Sequence, residues 1–175
     1  MVMLFTMSPT QQRDQTIKLA KISARKALEK ARLISDSWFR AQALSWVARF
    51  TEDDPIPIAT QAAKAAAECV DDYQSSAVRS WEIVALTERT CPERAKKSLR
   101  EALKLAVRVQ PLSSRSEALL LLLQAAFAIH RDEAVVVHST LIDSCPVTEH
   151  WRCKRAVKFA TQIIDGELQP RKFFW

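Results

Sequence analysis

The sequence predicts an all-α fold, a right-handed α-α superhelix (a short solenoid) of about seven helices in antiparallel hairpins. Three observations carry this. One glycine, Gly166, stands in 175 residues, where average usage gives roughly a dozen. Apolar residues recur at helical spacing along nearly the whole chain. The pattern also resembles itself at offsets of 35, 36 and 75 residues. Scarce glycine removes the residues that supply positive φ at tight hairpins and phosphate loops. A glycine-rich nucleotide loop and a multi-stranded sheet are thereby excluded.

Breakers divide the chain. Ser8-Pro9 starts a long helix whose inner side carries Ile17, Ala20, Ala24, Ala27, Leu28 and Ala31. Ser35-Asp36 ends it and offers an N-cap for the next helix, which runs to Phe50. Residues 51–57 form a Pro- and acid-rich corner before an alanine-rich helix over 58–70. Asp71-Asp72 caps a helix to Arg89, and Thr90-Cys91-Pro92 places proline at a first helical position. Helices follow over 93–109, 113–129, 132–144 and 148–164. Gly166 lies just past the last periodic residue, where a helix C-terminus favours glycine. The organisation is a single domain over 8–164, an apolar segment over 1–7 and a tail over 165–175.

The repeat is carried by two sets of residues. Ala24, Ala27, Leu28 and Ala31 match Ala59, Ala62, Ala63 and Ala66, and these match Ala95, Ser98, Leu99 and Ala102. Arg40, Ala43 and Leu44 match Arg115, Ala118 and Leu119. The middle copy, around Ser76 to Trp81, matches poorly, and its register is open by a residue. These starts and the Ala-rich second helices resemble the tetratricopeptide-like and HEAT-like α-solenoid proteins over residues 8–164. The resemblance implies a binding scaffold for a peptide, a helix or another protein, with an extended concave surface.

Lys and Arg number 26 against 20 acids, a formal charge of +6. The charge alternates along the chain, being positive over 1–35, negative over 36–72, positive over 73–110, negative over 111–147 and positive over 148–175. Such blocks suit stacked layers that attract one another, and fit poorly with one continuous groove for a phosphate backbone. Lys97, Arg100, Lys104 and Arg108 nevertheless share one helix face, as do Lys18, Lys21, Arg25 and Arg32. They read as solvated faces or, alternatively, as contacts for nucleic acid or an acidic protein surface. No Lys or Arg precedes Arg13, which reads against a secretory signal. The apolar run over 118–129 reads as too short to span a bilayer. With four cysteines read as reduced thiols, a cytoplasmic protein is expected, without a membrane partner.

Chemistry is sparse. Cys145, His150 and Cys153 offer three zinc ligands within nine residues, but at no strong metal spacing, and they read as structural. His130-Arg131-Asp132 reads as a helix corner with Asp132 as N-cap, and His138 as a partly buried core histidine. Neither a catalytic set nor a cofactor or metal is expected. Of five tryptophans, Trp38, Trp46, Trp81 and Trp151 lie on first helices of their units. They read as core packing, or in the sharper reading Trp38 and Trp81 anchor a partner on the concave face. Phe173, Phe174 and Trp175 are costly to expose, so the tail is expected to dock on the last helix or on a neighbouring chain. Unpaired end repeats also open a route to self-association through the chain ends. The expected function is a non-catalytic protein- or peptide-binding module; the alternative is a nucleic-acid-binding HEAT-like protein.

Overall fold

The computed structural model describes residues 7–145 and 150–175. Most of the apolar 1–7 segment, Pro146 and the expected start of the last helix at 148 lie outside the described residues. Every regular element among those described is helical. There are ten segments, not about seven: α1 (Pro9–Ala20), α2 (Ala24–Arg32), α3 (Ser37–Phe50), α4 (Ile56–Ala67), α5 (Asp72–Ala77), α6 (Arg79–Glu88), α7 (Pro92–Ala106), α8 (Leu112–Ile129), α9 (Arg131–Ser144) and α10 (Trp151–Ile164). The breakers delimit eight helical stretches, and two further breaks make ten.

The expected long first helix is interrupted over residues 21–23. Ser23 is extended and its side chain accepts from the Lys26 amide, so it caps a new helix. Ile22 is left exposed at the corner. The break lets α1 and α2 pack on each other and both on α3. The second break is slight: Val78 closes α5 and opens α6.

Other boundaries follow local chemistry. Ser8 and Gln11 form a reciprocal capping box, with Pro9 at the first helical position. Asp36 and Asp71 each accept an amide three residues on. The α9 cap is His130, not Asp132, because its Nδ1 accepts from the Asp132 amide; His150 caps α10 in the same way. Gly166 has φ +79°, and the Glu167 and Gly166 amides donate to the Gln162 and Ile163 carbonyls. That Schellman arrangement ends α10 and turns the chain back over the molecule.

The helices form two rows. In the first, α1 packs on α3, α3 on α6, α6 on α8, and α8 on α10. In the second, α2, α4, α7 and α9 each pack against two successive members of the first. The matched small residues line the seam between rows, since Ala27, Ala59, Ala95, Ala102 and Ala134 are fully buried. Ala43, Ala118 and Leu119 are equally buried in the first row. The paired arginines also behave alike: Arg40 donates to the Ile34 carbonyl at 2.9 Å and Arg115 to the Val109 carbonyl at 3.0 Å, each six residues upstream. The α8 helix is longer than the apolar run over 118–129. At 18 residues and a mean hydropathy of 1.3, it is long and apolar enough to cross a membrane, with half of it buried. Its packing against five other helices gives the apolarity a role in the core.

The middle copy takes its register from Arg79, with Glu82 where Ala43 and Ala118 stand elsewhere. Glu82 is 1% exposed and pairs with Arg79, which is also buried. Ser98 donates to Glu82 at 2.6 Å, and Arg79 reaches Glu101 at 3.0 Å. Burial opposes the charged form of Arg79, but Glu82 and Glu101 outweigh it and hold the guanidinium above its ordinary pKa. Burial likewise opposes the Glu101 carboxylate, and the Arg79 hydrogen bond overrides it to lower the pKa. Glu82→Ala therefore strands a buried guanidinium. Because Glu101 remains as a partner, the expected loss is about 3 kcal/mol, the low end for a broken buried pair. Urea unfolding checks it, and the Arg79→Ala/Glu82→Ala double variant should regain part of the loss.

Candidate functional site: an aromatic groove on the first row

Residues 41–48 of α3 and 79–86 of α6 are buried without interruption. An amphipathic surface helix does not look like this; a helix covered on every side does. Helices α1, α2, α4 and α6 pack on α3, and α3, α4, α5, α7 and α8 on α6; the tail adds a further wall. Beyond Gly166 it runs without helix and crosses the first row from α8 towards α1. The Arg171 amide donates to Gln124 Oε1 of α8 at 2.9 Å. Phe173 meets Trp81 of α6 edge to face at 5.4 Å between ring centroids. Phe174 and Trp175 meet Trp46 of α3 in the same geometry, at 4.8 and 5.3 Å. Lys21 Nζ donates to the Trp175 carbonyl at 3.3 Å.

Cations cap these rings. Arg49 lies 4.9 Å from the Phe174 centroid and 5.8 Å from that of Trp46, while its guanidinium also pairs with Glu88. Arg171 stands 5.2 Å from Phe173 and 5.5 Å from Trp81. Lys21 lies 5.5 Å from Trp46. Each such contact contributes about 0.5–1 kcal/mol where solvent reaches it. Beside the tail a cavity of about 450 Å³ stays open, lined by Arg49, Val84, Glu88, Gln124 and Phe127 together with Pro170, Phe173 and Phe174. The volume lies within the range of small-ligand clefts.

The tail thus docks, but on α3, α6 and α8 rather than on the last helix. The tryptophans of the helices, read as core packing or with Trp38 and Trp81 as anchors, separate into three settings. Trp46 and Trp81 are buried beneath the tail, so Trp81 is not an exposed anchor. Trp38 is half-buried, packs on Trp81 at 5.9 Å, and lines a shallow pocket with Phe39 and Tyr73. Burial, then Glu117, raises the Tyr73 pKa. Trp151 is 59% exposed under Arg152 and Arg155.

The six residues singled out for partner binding do not converge. Lys97, Arg100 and Lys104 are exposed on α7, in the second row. Arg108 lies beyond the end of that helix, exposed, and pairs with Asp72 at 3.3 Å. Trp38 and Trp81 belong to the first row. The sequence pattern does not single out Trp46, Arg49 and Gln124 as a set. A single signal was available for one of them, the spacing of eight between Trp38 and Trp46.

The cysteine cluster also divides. Cys145 and Cys153 are buried. Burial, then the neighbouring Cys153, pushes the Cys145 thiol up to about 11. His150 is exposed at the α10 cap. Among the described residues no three His, Cys, Asp or Glu side chains are grouped to hold a metal ion. His138 bonds Thr161 at 2.9 Å. Comparison with protein-family models, with curated proteins and with solved structures finds no match for this chain.

If the tail is a wall of α3, trimming it destabilises the whole protein. Phe174→Ala should cost about 3 kcal/mol, the low end for a buried Phe→Ala change, and shift tryptophan emission to longer wavelength as water reaches Trp46. Trp151→Ala, at an exposed ring, should stay within about 0.5 kcal/mol. Thermal and urea unfolding of the two variants checks the contrast.

Proposed function

We propose that the chain is a non-catalytic helical-repeat module, a short α-solenoid, that binds a protein or peptide along the groove of its first row, and that it works in the cytoplasm. One observation carries the reading. An extended, non-helical segment already lies across the faces of α3, α6 and α8, and rings, cations and a backbone hydrogen bond hold it there. A surface that accepts one extended segment has the chemistry to accept another. Aromatic side chains and arginine, which dominate this groove, are also the residues most enriched at binding hot spots. The matched Arg40 and Arg115 contacts and the regular seam support the repeat on which the reading depends. Contact surfaces of this kind need neither cofactor nor metal.

A second reading rests on the exposed Lys97, Arg100 and Lys104, a face open to phosphate. It is the weaker one. The positive and negative blocks pair with each other between neighbouring helices, as in Arg108 with Asp72, Lys96 with Glu133, and Arg155 with Glu117, so they do not form a continuous basic track.

Display selection of random peptides on the whole chain separates the two. Selected peptides should lose at least tenfold in affinity with Arg49→Glu and keep it with Lys97→Glu/Arg100→Glu. Indifference to Arg49→Glu would remove the groove from the account. A salt-dependent gel shift with DNA or RNA at micromolar protein, abolished by the α7 substitutions, would favour the second reading instead.

A further inference from the structure

The docked tail reports what its own groove prefers. It offers, in order, a basic pair and three aromatic rings, Arg171 to Trp175, and each ring meets a tryptophan of the first row. Yet its hold has three weaknesses. Among the described residues, two hydrogen bonds fasten residues 170–175 to the helical rows, at Gln124 and Lys21. Nε1 of Trp46 and Nε1 of Trp81 are both buried, and no described group accepts from them. A cavity of about 450 Å³ adjoins Phe173 and Phe174 unfilled. Release is also structurally simple. Residues 165–169 are exposed, and Gly166 already ends α10, so lifting the tail unwinds no helix.

We infer that the groove takes, in trans, an extended segment of a partner protein in which a basic residue is followed by two aromatics, and that residues 170–175 occupy the groove until this segment displaces them. The inference rests on the module reading above and names its ligand. A second copy of this chain is the weaker occupant. Its tail brings only the same groups it must displace, so the exchange offers no advantage. A partner that presents a carbonyl to a buried indole N–H, or a side chain to the open cavity, improves on the tail in place. Apparent affinity then equals the intrinsic affinity reduced by the fraction of molecules whose tail is out.

The test uses a fluorescent peptide, Leu-Gln-Pro-Arg-Lys-Phe-Phe-Trp, with the whole chain. Phe174→Ala weakens the tail in cis, so this variant should bind the peptide at least tenfold more tightly than the natural chain. Adding Arg49→Glu should reverse the effect, and a peptide with its three aromatics changed to alanine should not bind. On the natural chain, which needs no substitution to remain folded, peptide in excess of the tail's effective concentration of about millimolar should speed amide hydrogen exchange over 171–175. Equal affinity of the two chains for the peptide, unchanged exchange, or undiminished binding of the alanine peptide would each overturn the inference. So would a concentration-dependent dimer of the natural chain that the peptide dissolves, since the occupant would then be a second copy. If display-selected peptides bind through Arg49 while this peptide does not, the ligand chemistry fails and the module reading survives. If no peptide binds at all, both fall.

Discussion

The seam of small residues between the two rows is the constraint on which the rest depends. Ala27, Ala43, Ala59, Ala62, Ala95, Ala102, Ala118 and Ala134 are all but sealed from water. Side chains this small let helices pack closely, near the lower end of the usual interaxial range. Leucines such as Leu44, Leu99 and Leu119 fill the remaining space. The large rings of the first row, Trp46 and Trp81, meet the tail. Two large rings on a surface invite aggregation unless something covers them. The tail supplies that cover, and Gly166 is what lets the chain turn back to reach them.

Much of the helical organisation was legible because its signals are local. Ser8-Pro9, Asp36, Asp71 and Cys91-Pro92 act through hydrogen bonds or fixed φ within a few residues, and each stands at a helix boundary. The break at Ser23 was not legible. A serine is tolerated inside a helix, and its capping role exists only once the backbone has turned. The α9 cap was misassigned because aspartate is the commoner cap, whereas His130 accepts through a ring nitrogen. The middle repeat was obscured by a coordinated exchange. Glu82 and Ser98 stand where the neighbouring copies place alanine, and they satisfy one another and Arg79. Polar residues at apolar positions erase the pattern that sequence reading follows.

The groove was less legible for a different reason. That Phe173 and Phe174 must be covered can be read from their cost in water. Where they land depends on contacts between positions about ninety to one hundred and thirty residues apart. No periodicity links such positions. Charge alternation was a better guide to long-range structure. Arg108 with Asp72, Lys96 with Glu133, and Arg155 with Glu117 each join a residue of a positive block to one of a negative block. Individually these pairs contribute little, about 0–1 kcal/mol when solvent-exposed.

A tether also decides what can compete for the groove. A short flexible connection keeps the tail near its site at an effective concentration of about millimolar. Any segment arriving from solution must offset that advantage before it binds. A ligand that only copied the tail would rarely win at ordinary cellular concentrations. On the proposed reading, the contacts that tip the balance are those the tail leaves unused: the two buried indole N–H groups and the cavity beside Phe173. Occupation by the tail would then raise the threshold for binding, and selectivity would come from the few features the tail cannot satisfy.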